Sequence, residues 1–274
     1  MPPSPNMGGM HMTTTTCSWR PYRVALRTQE CRGVISLYLE PTDGALPPAF
    51  AAGQYVELRM PGIEPHAFFL VGPSGNRLVR LTIEVGDEPF IGEVGRIAKL
   101  RIGDPVELSE PKGELAMEPG ETPVVIMTED IGCLVAHAFL AEMAEVEPMR
   151  NVRVLCQFPN GTRMLMREEL RKLVDLMPNA GLAVFLAAPF STDTAGKDYE
   201  VAGPITVENA RSVCVNPDAD FFVVGSRAFT EALRTSSSAS FTPEFTRRSS
   251  ERFYPGRGSS FANLPCPCKI RPCR

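Results

Sequence analysis

Hydrophobic and polar residues alternate with a period of two through the first half of the chain. Tyr22–Thr28 and Val34–Glu40 are runs of this kind, joined by the turn-like Cys31-Arg32-Gly33. Further alternating runs, bounded by glycine or proline, are Gly53–Met60, His66–Val71, Leu78–Val85 and Asp104–Leu108. Only Val94–Leu100 has helical spacing. Six short strands with regular turn signals predict a closed antiparallel β-barrel over residues 20–117.

The period changes near Glu118-Pro119-Gly120, where short apolar runs begin to alternate with helical stretches. The predicted strands are Thr122–Thr128, Asn151–Phe158, Leu182–Ala187 and Phe221–Val224, and the predicted helices are Leu134–Glu145, Arg167–Asp175 and Arg227–Thr235. This alternation predicts an α/β domain with a parallel sheet over residues 121–256. In such a sheet a ligand binds at the carboxyl ends of the strands, and the barrel offers a place for one flat cofactor.

The two ends of the chain lack a regular period. Residues 1–19 are rich in Pro, Met, Gly and Thr, and residues 257–274 end in PCPCKIRPCR. We therefore predict that both ends are disordered. Cys266, Cys268 and Cys273 are cysteines that a soft metal could bind, but no fourth ligand lies at a suitable spacing, and we predict no metal site.

Composition narrows the class of function. The net charge of −4, from 28 basic and 32 acidic residues, argues against a nucleic-acid partner. No apolar run approaches the ~18 residues of a membrane span, and the start lacks the pattern of a secretory signal. Cys31, Cys133, Cys156 and Cys214 lie in apolar runs and are expected to be buried free thiols, so we predict a cytoplasmic protein without a membrane partner.

Five segments, in order, resemble motifs of one family. FAAGQYVELRMPG, IGEVGRIAKLRIGDPVELSEPKGEL and DADFFVVGSRAFTEALR are similar to its conserved strands and turns. HAFFLVG stands at its flavin motif R-x-Y-S-x-S, and PVVIMTEDIGCLVAHAFL stands at its first glycine-rich turn. The chain resembles the ferredoxin–NADP reductase superfamily over most of residues 20–256, in particular the FAD/NAD reductase module that follows the globin in flavohaemoglobins.

The resemblance implies a flavin-dependent oxidoreductase. FAD would accept electrons from NADH or NADPH and pass them to a haem, globin, iron–sulfur or oxygenase partner. Phe68 would stack on the flavin, and Gly132 and Gly225 would let the nicotinamide approach the backbone. No catalytic residue is implied. The implied cofactor-binding residues are Tyr55, His66, Phe68, Phe69, Val71, Gly92, Val94, Gly95, Thr128, Gly132, Gly225, Ser226 and Phe253.

Several of these positions depart from the family's chemistry on the flavin side. The family's Arg, Tyr and two Ser are His66, Phe68, Phe69 and Val71 here. A neutral imidazole cannot clamp a phosphate with two hydrogen bonds, and Phe69 and Val71 offer no polar atom. Losing one Arg and two hydroxyl contacts would weaken FAD binding by roughly three orders of magnitude.

The nicotinamide side is altered as well. The family's Gly-Gly pair is Glu129-Asp130, and its Cys-Gly-Pro is Val224-Gly225-Ser226. Two carboxylates beside a helix N-terminus would repel a pyrophosphate. Without a third acid or a histidine at ligand spacing nearby, an exposed acidic turn is favoured over an acid–base or metal-binding pair.

Two functions follow from these observations. One is a flavin-dependent reductase, with His66 partnering a phosphate and Phe68 stacking on the flavin. The other is a non-catalytic relative that acts as a partner-binding or regulatory module. In that case Phe68–Val71 is a buried strand that fills the space of a lost flavin, and His66 is a surface histidine. We also expect His137 to be an exposed or capping side chain.

Overall fold

The computed structural model describes residues 18–85, 92–213, 219–238 and 266–270. Residues 18–85 and 92–109 form the predicted barrel, whose six antiparallel strands close in the order β1-β2-β5-β4-β3-β6. The strands are β1 (Trp19–Cys31), β2 (Val34–Pro41), β3 (Tyr55–Met60), β4 (Ile63–Val71), β5 (Val79–Glu84) and β6 (Pro105–Ser109), and helix α1 (Gly92–Ala98) lies between β5 and β6. The predicted barrel is therefore confirmed.

The barrel core follows from the alternation of the sequence. Leu37, Leu58 and Leu81 point inward from three different strands and are fully buried. On β4, Phe68 and Leu70 join this core, whereas Ala67, Phe69 and Val71 face the opposite way. Because successive side chains of a strand point to opposite faces, both faces of β4 must be covered.

Residues 124–213, 219–238 and 266–270 form the second domain, around a six-stranded sheet in the order β10-β9-β8-β7-β11-β12. Its strands are β7 (Val124–Glu129), β8 (Val152–Phe158), β9 (Ala180–Leu186), β10 (Val201–Ala202), β11 (Asp220–Gly225) and β12 (Cys266–Ile270). Its helices are α2 (Cys133–Val146), α3 (Arg167–Asp175), α4 (Val207–Val213) and α5 (Arg227–Ser238). All strand pairs are parallel except β11–β12, so the predicted parallel α/β sheet is confirmed.

The tail departs from its prediction. We expected no regular structure in residues 257–274, but Cys266–Ile270 pairs antiparallel with β11, from Phe221↔Ile270 to Gly225↔Cys266. The strand forms because β11 offers an unpaired edge, which local periodicity does not reveal. The predicted disorder of residues 1–19 is wrong at Trp19, where β1 begins, while residues 1–17 and the other tail residues lie outside the described residues. The sequence also did not predict β10 and α4.

The two domains share one hydrophobic cluster, which we call the apolar seam. On the barrel side it contains Ala52, Tyr55, Ala67, Phe69 and Val71, and on the other side it contains helix α2. One polar contact accompanies it, since the amide of Ala52 donates to Glu142 Oε2 at 3.0 Å. Helix α2 is buried along most of its length because the sheet covers one side and β4 the other. Among the described helices, none combines the length and the apolar character that crossing a bilayer would require.

Candidate functional site

Strand β4 carries four of the residues at the flavin-motif positions, and all four are buried. His66 is 2% exposed, Phe68 and Val71 are 5% exposed, and Phe69 is 3% exposed. Phe68 lies in the barrel core, and Phe69 and Val71 lie in the apolar seam. The hypothesis of a buried strand therefore describes this segment.

His66 is not a surface histidine, contrary to our expectation. Its Nδ1 lies 2.7 Å from the carbonyl oxygen of Glu64, and its Nε2 lies 3.6 Å from Glu93 Oε2 on helix α1. The ring is buried because α1 covers this end of β4, an arrangement that alternation along the strand does not reveal. His66 therefore contacts the barrel's own groups.

The other flavin-side candidates surround the same strand. Tyr55 on β3 pairs with Phe69 and is 6% exposed, and burial raises the pKa of its phenol. Gly92 begins helix α1 with a φ of +71°, Gly95 is buried, and Val94 is partly buried against the barrel core. The structure thus brings these residues together around β4.

The nicotinamide-side candidates meet where β7 and β11 end. Thr128 is fully buried, and its hydroxyl donates to Cys156 Sγ at 3.2 Å. A Cβ at Gly132 would lie 2.4 Å from the carbonyl oxygen of Val224, so this turn requires glycine. Ser226 caps helix α5, because its Oγ accepts the amide of Phe229 at 3.2 Å. Phe253 lies outside the described residues.

Glu129 and Asp130 are not an exposed acidic turn, contrary to our expectation. Glu129 Oε2 accepts the backbone amide of Ser226 at 3.0 Å, and Gln157 Nε2 donates to Glu129 Oε1 at 3.3 Å. Asp130 Oδ2 accepts Arg163 Nη2 at 2.7 Å. Their partners lie between 28 and 97 residues away in sequence, which is why a local analysis missed them.

Arg163 joins the two domains. It comes from a one-turn 3-10 helix, Gly161–Arg163, that follows β8. Its guanidinium bonds to Glu84 at the end of β5, to Asp130, and to the carbonyl oxygen of Arg32 at 3.1 Å. Burial and the nearby Glu84 carboxylate raise the pKa of Asp130, while Arg163 opposes that shift.

A second ionic group joins the domains nearby. Arg80 on β5 lies 2.9 Å from Glu169 on α3 and 2.9 Å from Glu30 on β1. His137 on α2 is buried, contrary to our expectation, and its Nε2 lies 3.3 Å from Glu169 Oε2. A hydrogen bond with His137 and the Arg80 guanidinium lower the pKa of Glu169 to about 2. We call the contacts of Arg80, Glu84, Asp130, Arg163 and Glu169 the ionic seam.

A cavity of about 300 Å³ opens at the ionic seam. Of the residues that line it, the sequence had indicated only Asp130, as part of the Glu129-Asp130 pair. The turn residues Pro159-Asn160-Gly161 after a buried strand are the local pattern that could have indicated the cavity, since strand ends in such sheets carry ligand-facing loops. The cavity is lined by Arg32, Glu84, Asp130, Pro159, Asn160, Thr162 and Arg163.

Three cysteines belong to the apolar seam or pack against it. Cys133 and Cys156 are fully buried free thiols, as predicted, whereas Cys31, also predicted to be buried, is only half-buried. Burial raises the pKa of Cys156 to about 12 and that of Cys31 to about 11. Cys214 lies outside the described residues. Among the side chains that are described, no group of three or more His, Cys, Asp or Glu is arranged to hold a metal ion.

Comparison with known proteins gives the family. The chain is 30% identical over 229 residues to a flavohemoprotein of Chromobacterium violaceum, an alignment that covers 80% of this chain. The chain belongs to the ferredoxin–NADP reductase superfamily. It spans 56% of the length of that flavohemoprotein and 56% of one from Bordetella pertussis, to which it is 26% identical. No protein-family model matches the chain.

Solved structures of the reductase superfamily show the same fold. The flavohemoglobin from Malassezia yamatoensis with bound FAD and heme has a TM-score of 0.69 at 21% identity, covering 81% of this chain and 56% of that one. The FAD/NAD binding domain of nitric oxide dioxygenase from Vibrio cholerae has a TM-score of 0.68 at 19% identity, covering 80% of this chain and 92% of that one. The chain therefore shares the two-domain fold of these structures.

The flavin-motif residues of this superfamily member do not fit FAD in the position that the resemblance implies. Here His66, Phe69 and Val71 are at most 5% exposed. Phe69 and Val71 share a hydrophobic cluster with residues of α2, and neither carries a hydrogen-bonding side chain.

Proposed function

We propose that the chain is a non-catalytic module with the ferredoxin-reductase fold, acting as a partner-binding or regulatory module. In this proposal the two domains are a rigid scaffold, and neither FAD nor a nicotinamide dinucleotide occupies the positions that the resemblance implies. A haem, globin, iron–sulfur or oxygenase protein is the class of partner that the resemblance favours.

One observation carries the proposal. Phe69 and Val71 are buried in the apolar seam, in one hydrophobic cluster with helix α2. To admit a flavin there, the apolar seam would have to open and expose both side chains. Each fully buried side chain of this size contributes about 1.5–3 kcal/mol, so opening costs several kcal/mol before any flavin contact forms.

A second candidate is electron transfer from NADH or NADPH through FAD to a redox partner. The 30% identity that extends across both domains favours it. Under this candidate Phe68, Tyr55 and the Gly92–Gly95 segment contact the flavin after a rearrangement. The C. violaceum relative is named a flavohemoprotein, and this name supports the electron-transfer candidate.

Flavin titration distinguishes the two candidates. The full chain is purified, its visible absorbance is recorded, and FAD is added during equilibrium dialysis. We expect a colourless protein that retains no FAD at micromolar concentrations. With added FAD, NADH or NADPH should not reduce ferricyanide faster than in a protein-free control.

Saturable FAD binding in the micromolar range, together with oxidation of NADH or NADPH, would overturn the proposal and establish the second candidate. The V. cholerae FAD/NAD binding domain, measured in parallel, is the positive control.

A further inference from the structure

The topology of the sheet defines where an anion would bind. Strand β7 lies between β8 and β11, so the chain leaves β7 toward one side and later returns on the other. At such a switch point the carboxyl ends of the two central strands, here β7 and β11, border a crevice that receives ligands. Helix α5 begins directly after β11, and the amides and dipole of a helix N-terminus attract anions.

In this chain a carboxylate of its own already occupies that position. Glu129 is the last residue of β7, and its Oε2 accepts the amide of Ser226 at the start of α5 at 3.0 Å. The contact is close, because a Cβ at Gly225 would lie 2.8 Å from Glu129 Cβ. The donor that an incoming anion would use is therefore bonded to Glu129.

Asp130 acts in the same way on the neighbouring cation. Its Oδ2 accepts Arg163 Nη2 at 2.7 Å, and the Arg163 side chain is only 11% exposed. Asp130 adopts a φ of +47°, an uncommon conformation for a non-glycine residue. The strained backbone directs the Asp130 carboxylate toward Arg163.

The cavity beside Asp130 is lined by the barrel and by the turn after β8, with no lining residue from β11 or α5, and its charge is balanced. Arg32 and Arg163 contribute two positive charges to its lining, and Glu84 and Asp130 contribute two negative charges. With about 300 Å³, the cavity is large enough for a small anion such as pyrophosphate. Removing Asp130 would leave the lining with a net positive charge.

We infer that Glu129 and Asp130 are specificity-determining residues that exclude anionic ligands from the switch-point crevice, because their carboxylates take the Ser226 amide and the Arg163 guanidinium. This inference rests on the proposed function and names what closes the same site. It predicts that the crevice keeps the shape and the donors of an anion site, masked by two side chains.

The test is a gain of binding. Inorganic pyrophosphate is titrated calorimetrically into the full chain and into the double variant Glu129→Gly, Asp130→Gly. Glycine suits the positive φ of Asp130, so the variant should fold, and thermal unfolding checks this. We expect weak or no binding by the unchanged chain and at least about tenfold tighter binding by the variant, since each restored charge-assisted hydrogen bond is worth roughly a factor of ten or more.

Two further variants keep the test decisive. Glu145→Gln with Glu208→Gln removes two carboxylates from exposed positions of the same domain and should leave pyrophosphate binding unchanged. If the glycine variant does not fold, Glu129→Gln with Asp130→Asn replaces it. That variant removes both charges at nearly constant size and should tighten binding by a smaller factor.

Equal binding by the unchanged chain and a folded variant would overturn the inference, as would an equal gain in the Glu145, Glu208 control. These failures are separate from failure of the proposed function, which FAD retention by the unchanged chain would reveal.

Discussion

The apolar seam and the ionic seam join the same two domains with different chemistry. The apolar seam buries Phe69 and Val71 against α2, whereas the ionic seam binds Arg163 to Glu84 and Asp130. Hydrophobic burial depends little on ionic strength or pH, while ion pairs depend on both. The comparison teaches that the two domains are joined in two separate ways, one by hydrocarbon packing and the other by charge.

The largest expected effect concerns the apolar seam. Phe69→Ala removes a ring that is 3% exposed, so the free energy of unfolding should fall by about 3–5 kcal/mol, measured by urea denaturation. Phe190→Ala is the matched control, because Phe190 is 47% exposed and should cost less than about 0.5 kcal/mol. A loss below about 1 kcal/mol at Phe69 would mean that the seam is not a packed core.

The next effect concerns the ionic seam. Arg163→Met leaves Glu84 and Asp130 without their shared guanidinium and should lower the free energy of unfolding by about 2 kcal/mol, less than for a fully buried pair because Glu84 is 36% exposed. The difference should shrink between about 0.1 M and 1 M NaCl, where the Debye length falls from about 10 to 3 Å.

The control for Arg163 is Arg227→Met, whose exposed pair with Glu231 should contribute less than about 0.5 kcal/mol. If the loss at Arg163 is unchanged by salt, the contact stabilises the seam by packing and not by charge.

A smaller effect is pH-dependent. The pKa of Glu169 is about 2 in the folded protein, against an ordinary 4.5, because of His137 and Arg80. A lowered carboxyl pKa stabilises the folded state above pH 4.5, and this contribution is lost as the pH falls from about 4.5 to about 2.

Glu169→Gln should therefore flatten the decline in unfolding free energy between pH 5 and pH 3, by about 1 kcal/mol after allowing for solvent screening of a side chain that is 39% exposed. The measurement is urea denaturation at both pH values. Glu168→Gln is the neighbouring control, since Glu168 is 72% exposed. Equal slopes in the unchanged chain and Glu169→Gln would contradict the prediction.

The smallest effect leaves stability unchanged. Burial raises the pKa of Cys31 to about 11 from an ordinary 9.0, so its thiolate fraction at pH 8 is about 100-fold lower than that of a free thiol. Alkylation by iodoacetamide, followed peptide by peptide by mass spectrometry, should be slowed in proportion. Fully buried Cys156 should react more slowly still. Rapid labelling of Cys31 would show that the apolar seam opens frequently around this thiol.

Local pattern was sufficient to predict most of the fold. Alternation located the barrel strands within a few residues, and helical spacing placed α3 at Arg167–Asp175. These elements are set by which face is buried, and that information is local. The short strand β10 and helix α4 carry too few residues for a clear period.

The candidate site was less predictable, since its contacts join distant residues. The residue types at positions 66–71 predicted a loss of polar contacts, and the structure adds that Phe69 and Val71 pack against α2. Glu129 meets Ser226 across 97 residues, and Arg163 meets Glu84 across 79. No local pattern encodes such pairs, so the acids were interpreted as an exposed turn and Arg163 was missed.

Strand β12 has a consequence for solubility. All six residues of β11 are buried, and its outer backbone groups pair with Cys266–Ile270. A version of the chain cut before residue 266 would present a hydrophobic ribbon with unsatisfied amides and carbonyls, the kind of border at which β-proteins self-associate. The short strand Cys266–Ile270 would thus protect the protein against aggregation.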